Sequence, residues 1–272
     1  VPNIVVVNNL EADHLDFYKN GLQSILETFE SFISKMPDDG VVLVNYDCEA
    51  SKGLHSHKTM TFGLSEGADY QAKNIEFNSE YTDFDVYFRG DFLISLKIIL
   101  KGIHNVYNAL SVLASLHQAG VDLELVKPHF ATFAGMGRRF QKVGDFDGIS
   151  IYDDYAHHPT EIKAALSSAL SFKGKNIIAV FQPHRYTRLQ NLWDEFLNAF
   201  DSVDKVVVTD VYAASEDVIE GVNSEKFAQD LSAKGINCEY ISGDMKAVAK
   251  KLYPSLKKDD VVIGLGAGTI TA

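Results

Sequence analysis

Residues 176–210 read NIIAVFQPHRYTRLQNLWDEFLNAFDSVDKVVVTD, and their pattern decides the class of fold. A short apolar run over 176–181 predicts a strand, the stretch 188–200 a helix, and Lys205–Thr209 a second strand. Two strands joined through a helix of that length form a βαβ unit, which makes them parallel. The alternation continues on both sides. A strand at Ile149–Tyr152 and a helix at 159–171 precede it; a helix at 224–234, a strand at Cys238–Ile241, a helix at 245–253 and a strand at Val261–Leu265 follow. The expected fold class is α/β with a mostly parallel sheet.

The first half carries the same signals less regularly. Ile4–Val7 predicts a strand, and the apolar spacing of Leu22, Ile25, Leu26, Phe29, Phe32 and Ile33 a helix within 21–36. Val41–Val44 is a further strand, 59–100 reads as short strands broken by Gly, Asp and Asn, and 104–118 and 122–130 read as helices. Phe133–Phe140 (FAGMGRRF) has two glycines, two arginines and no periodicity, which marks it as the linker.

At 272 residues the chain has room for one large or two moderate domains. Acidic residues outnumber basic ones by 37 to 25, a balance that repels a phosphate backbone and argues against a nucleic-acid partner. Cys48 and Cys238 stand far apart without CxxC spacing, so reduced thiols are expected rather than a disulfide framework or zinc knuckle. No apolar run is long enough to span a bilayer and no secretory leader pattern is present, so no membrane insertion and a cytoplasmic location are expected. The start at Val1 rather than Met predicts a fragment or a processed product.

In a parallel sheet the strand-to-helix loops gather at the carboxyl edge, where ligands bind. Three polar clusters follow successive strands there: YDDYAHHPTE (152–161), QPHRYTR (182–188) and DVYAASE (210–216). In the first, Pro159 suits the opening turn of a helix and Glu161 its positive end, which puts His158 at or near the N-cap. A cap that merely closes the loop, a substrate wall, and a metal site built from Asp153, Asp154, His157 and His158 all remain open; adjacent histidines and the missing HxxxH spacing weaken the last. Arg185 and Arg188, three apart at a helix start, can grip a carboxylate or phosphate, or can form a solvated basic face. Earlier, NLEADHLD (9–16) crowds acids around His14, and GIHNVYNAL (102–110) sets Asn105 and Asn108 three apart, suited to reading an amide or purine edge. GLGAG (264–268) departs from a dinucleotide fingerprint in its spacing and lacks the βαβ unit after it.

NLEADHLD, GIHNVYNAL, GMGRRF, YDDYAHHPTE, FQPHRYTR and DVYAASE, in this order across nearly the whole chain, resemble the Mur ligase family, and within it the members that add the first amino acid of the peptidoglycan stem peptide. The resemblance implies that 1–136 is the remainder of a P-loop-type central ATP-binding domain and 137–272 a Rossmann-like C-terminal domain. It implies an ATP-dependent, Mg²⁺-assisted ligase that joins L-alanine to UDP-N-acetylmuramate through an acyl phosphate. By the same resemblance His14 serves the metal and γ-phosphate, and His104, Asn105 and Asn108 the adenine. Arg139 serves the ATP phosphates and Asp154 the ribose, while Tyr155, His157, His184, Arg185 and Arg188 form the alanine pocket. The family's Gly-Lys-Thr phosphate loop does not occur in these residues, so the chain alone is expected to be inactive. Two alternatives stand: a ligase that adds a tripeptide to muramate, and a non-catalytic module binding a small anion.

Overall fold

The computed structural model describes residues 1–12, 17–78, 80–172 and 174–271. They form two compact units, Val1–Ala134 and Gly135–Ala272.

In the first unit β1 (Ile4–Val7) leads through α1 (Leu22–Ile33) to β2 (Val41–Asn45); β3 (Lys58–Gly63), β4 (Tyr70–Phe77), β5 (Thr82–Phe88) and β6 (Asp91–Ile98) follow, then α2 (Ile103–Gln118) and α3 (Leu123–Thr132). The six strands lie in sequence order in one sheet, β1 to β4 parallel and β4 to β6 antiparallel. Every residue of β2 is buried, because apolar layers cover both faces of the sheet. Val42 and Val44 pack with Val7, Ile25 and Ile33, while Val41 and Leu43 pack on the opposite face with Phe62, Val106 and Leu110. In β5 only Thr82, Phe84 and Val86 are buried, the alternation of a strand with one face in the core.

The second unit contains β7 (Gln141–Phe146), β8 (Ile149–Asp154), α4 (Pro159–Ala169), β9 (Ile177–Phe181), α5 (Tyr186–Asn191), α6 (Trp193–Leu197), β10 (Lys205–Val208), α7 (Ser224–Ala233), β11 (Cys238–Tyr240), α8 (Met245–Leu252) and β12 (Val261–Leu265). Its sheet runs β11-β10-β9-β12-β8-β7, parallel except for β7. The last strand, β12, therefore enters the middle of the sheet between β8 and β9, and the loops after all three open on one edge. Ala179, Phe181, Val206, Val208, Ile263 and Leu265 face one apolar layer with Leu166, Phe196 and Phe227; Ile178, Val180 and Val207 face another with Val248 and Leu252.

Two expectations are corrected here. The single helix expected over 188–200 is two short helices: at Leu192 the backbone leaves helical geometry (φ −117°, ψ 26°), and the chain restarts at Trp193, whose indole N–H donates to Asp230 on α7. Leu189, Phe196 and Phe200 still reach the core, so the apolar spacing reads as one helix although the backbone does not. The edge strand β7 was not expected at all. Its sequence, QKVGDF, has no buried residue and so no apolar alternation to announce it. Among the described residues no helix is long and apolar enough to cross a membrane.

Candidate functional site

In the second unit the loops after β8, β9, β10 and β12 meet at the carboxyl edge of the sheet. The loop after β9 runs extended beside the loop after β10: Tyr212 N–H donates to Pro183 O at 2.8 Å and Arg185 N–H to Tyr212 O at 2.9 Å. To turn from that pairing into α5, Arg185 takes φ +70° and ψ 136°, a region that side chains other than glycine avoid. Strain at such a position is held in place by its surroundings. Glu216 supplies some of them: it accepts from Thr187 N–H at 3.1 Å and from the Thr187 hydroxyl at 2.6 Å, and lies 3.9 Å from Arg185 Nη1.

A continuous row of rings follows. The His184 ring stacks on Tyr212 at 5.5 Å, His157 lies 5.6 Å from His184, and Tyr155 lies 5.3 Å from His157. Guanidinium groups flank the row: Arg188 Nη1 is 3.3 Å from His184 Nδ1, and Arg138 and Arg139 lie 4.9 and 5.7 Å from the centre of the Tyr155 ring. Burial, then His157, Arg188 and Arg185, push His184 down to about 4, so its ring is neutral at physiological pH.

The expected helix opening is present. His158 is the N-cap of α4, Pro159 follows it, and His158 and Glu161 form a reciprocal capping box. The two aspartates of the stretch point inward. Asp153 receives Arg138 Nε at 3.1 Å, and the same guanidinium donates to Gly266 O at 2.6 Å. Burial raises the Asp153 pKa, and Arg138 pulls it part of the way back. Asp154 accepts from Phe140 N–H on one oxygen at 2.7 Å and from Ala156 N–H on the other at 2.8 Å. Burial pushes Asp154 up to about 6, against those two hydrogen bonds. With 6% of its surface exposed, Asp154 holds the loop through both carboxylate oxygens. The metal-site alternative finds no support in the geometry, because among the described residues no group of three or more histidine, cysteine or carboxylate side chains is placed to hold a metal ion.

In the first unit the corresponding edge is organised by Asp47, which follows β2. Its carboxylate accepts from Leu64 N–H at 2.6 Å, Ser65 N–H at 3.3 Å and the Tyr107 hydroxyl at 2.8 Å, tying two strand ends to α2. Burial works to raise its pKa, but the hydrogen bonds from Ser65, Leu64 and Tyr107 prevail and hold it below the usual carboxylate range. Asn105 and Asn108 occupy the first turns of α2, with Asn105 Nδ2 donating to Lys101 O at 2.7 Å and Asn108 Nδ2 to Asn105 Oδ1 at 3.3 Å. His104 Nε2 lies 3.1 Å from Asn105 Nδ2. Both asparagines line a hollow of about 450 Å³ whose other walls include Leu100, Val112, Val126, Phe130 and Phe133. Apolar walls with two amides suit a flat heteroaromatic base. The remaining expected residue, His14, lies outside the described residues.

Profiles of two protein families match the chain: the Mur ligase middle domain over residues 1–116 and the Mur ligase glutamate ligase domain over 138–268. The chain belongs to the Mur ligase family. Among curated Mur ligases it is 40% identical to the UDP-N-acetylmuramate–L-alanine ligase of Caldicellulosiruptor bescii, with 99% of this chain and 60% of that protein covered. The protein of the same name from Clostridium novyi is also 40% identical, over 99% of this chain and 59% of its own. The chain thus spans about 60% of the length of the curated relatives it matches. The crystal structure of UDP-N-acetylmuramate-alanine ligase from Thermotoga maritima superposes with a TM-score of 0.81 at 29% identity, covering 99% of this chain and 57% of that one. A Mur ligase from Acinetobacter baumannii, MurF, shares the fold at 18% identity with a TM-score of 0.76.

Of the expected Mur ligase site residues in the second unit, the structure gathers Tyr155, His157, His184 and Arg188 into one row, with Arg185 at the adjoining turn and Arg139 against Tyr155. Several neighbours went unassigned from sequence. Arg138, Gln182 and Tyr212 each sit in a quoted motif, but nothing in their spacing distinguishes them from loop residues, and the spacing of Glu161 points only to a helix start. The glycines of GLGAG carried a signal that was set aside. A Cβ at Gly266 would meet Gln182 O at 3.0 Å, and one at Gly268 would meet Gln182 Oε1 at 2.5 Å and Tyr212 Cγ at 2.6 Å. Their use is close approach between loops, not a pyrophosphate cradle.

Proposed function

We propose that this chain is the nucleotide- and amino-acid-handling portion of an ATP-dependent ligase that joins L-alanine to UDP-N-acetylmuramate in peptidoglycan precursor synthesis, acting in the cytoplasm. The observation that carries the reading is the row at the carboxyl edge of the second sheet, where Arg188 lies against the neutral His184, His157 stands beside that ring and Arg185 occupies the adjoining turn. Planar guanidinium groups suit the carboxylate of a small amino acid, and an imidazole suits its amine. The names of relatives 40% identical over 99% of the chain support the same reaction.

In this reading Arg185 and Arg188 hold the alanine carboxylate, with His184 keeping Arg188 in place, and Tyr155 and His157 face the amine. Arg139 meets the nucleotide phosphates. In the first unit Asn105 and Asn108, with His104, meet the adenine, and Asp47 and Tyr107 fix the helix that carries them. ATP converts the muramate carboxylate to an acyl phosphate; amine attack gives the amide and releases phosphate. The protein's share is positioning and charge neutralisation. His14 is proposed as the residue serving Mg²⁺.

The test is phosphate release by the full-length protein with ATP and UDP-N-acetylmuramate, offering L-alanine against a tripeptide. Alanine-dependent release, with the KM for alanine raised about 100-fold in Arg188→Ala, is expected from losing a charge-assisted contact of about 3 kcal/mol. Release that depends on the tripeptide alone, or an unchanged alanine dependence in the variant, would sink the assignment.

A further inference from the structure

The carboxylate that caps α4 touches more than a helix end. Glu161 Oε2 accepts from His157 N–H at 3.0 Å and His158 N–H at 3.2 Å, and the same oxygen lies 3.3 Å from His157 Nδ1. Its Oε1 lies 3.6 Å from Arg139 Nη1. One side chain thus ties a loop and a helix start to two of the side chains assigned above to ligands.

The tautomer of His157 follows from its partners. Nδ1 is 2.9 Å from the Tyr155 carbonyl oxygen, which can only accept, so Nδ1 carries the proton and Nε2 of the neutral ring is the acceptor. His184 is set the opposite way. Its Nδ1 faces the Arg188 guanidinium, which can only donate, so Nδ1 accepts and Nε2 carries the proton. Two neighbouring imidazoles of opposite tautomer place a proton acceptor beside a hydrogen-bond donor. An α-amino acid offers the matching pair, an amine that must lose a proton and a carboxylate that takes hydrogen bonds.

We propose that Glu161 is a positioning residue that keeps His157 turned so that Nε2 accepts the ammonium proton of the incoming amino acid, and that steadies Arg139 at the same time. The proposal rests on the ligase reading above. One N–H proton of the ammonium passes to His157 Nε2. The freed lone pair forms the C–N bond at the acyl phosphate carbon, and phosphate leaves with the C–O bonding pair and takes up the second N–H proton, which leaves a neutral amide. The groups facing His157 include Glu161 from α4, His184 from the loop after β9, and Tyr155 of its own loop, whose ring Arg138 and Arg139 overlie.

Glu161→Gln separates this role from capping, since glutamine also serves at this position of a capping box and only the charge is lost. In the full-length protein the variant is expected to raise the KM for alanine about tenfold and that for ATP less than about threefold, with an unchanged melting temperature. The acid limb of its kcat/KM profile for alanine should move to lower pH. Imidazole ¹⁵N spectra of the 272-residue chain should show the Nδ1–H tautomer at His157. An Nε2–H tautomer there, or alanine kinetics within about twofold of wild type in the variant, would overturn the proposal. So would equal rises in both KM values with a lowered melting temperature, the mark of a cap and nothing more. If wild-type protein shows no alanine-dependent turnover, the ligase reading fails, and the His157 spectrum still decides the tautomer.

Discussion

His184 and Asp154 are both shifted by burial, with opposite consequences for stability. His184 falls from 6.5 to about 4, so between those values the unfolded chain binds the extra proton and stability is lost as pH falls. Asp154 rises from 3.8 to about 6, so the folded chain binds the extra proton and stability is lost as pH rises through that window, by about 3 kcal/mol in all. The two nearly overlap and offset each other. Urea denaturation between pH 4 and 7 should therefore show a stability that climbs less steeply with pH in His184→Gln than in wild type, and more steeply in Asp154→Asn. Parallel curves for the three proteins would show that burial of these groups has no such effect. The family resemblance marked both residues as expected site members, but not the sign of either shift, which depends on what covers each side chain. Asp153 and Asp154 read alike in sequence; one meets a guanidinium and the other two backbone N–H groups.

Strands with two covered faces were the most legible elements. β9 throughout, and β2 up to its last residue Asn45, are unbroken apolar runs with every residue buried, and no other element gives that pattern in so few residues. β7, at the sheet edge, buries nothing and left no trace in the hydropathy. The break between α5 and α6 also went unread, since no Gly or Pro stands at Leu192 and the interruption goes with a tertiary hydrogen bond from Trp193. The turn after β12 was seen but misjudged: its glycines count because neighbours crowd them. Gly268 has an ordinary backbone conformation, so Gly268→Ala tests sterics alone. A methyl group 2.6 Å from Tyr212 Cγ should cost about 1–3 kcal/mol by overpacking and disturb the Tyr212–His184 stack. Urea midpoints measure the first and tyrosine ring chemical shifts the second; a midpoint equal to wild type would mean that the loop relaxes freely.

At the scale of the molecule, each unit is built around two apolar layers of its own. This is why periodicity could be read separately in each half. The family followed from six motifs in order, whereas the sites required contacts between loops distant in sequence. The turn at Arg185 carries a consequence for how the protein withstands heat. Holding an arginine at φ +70° costs roughly 1–3 kcal/mol, part of which glycine would recover. Arg185→Gly should thus raise the melting temperature by a few degrees while weakening alanine binding, and calorimetry on the one variant reads both. A drop in melting temperature would show that the turn is not strained. Glycine would hold the turn with less strain, so heat resistance and the proposed grip on the amino acid pull this one position in opposite directions.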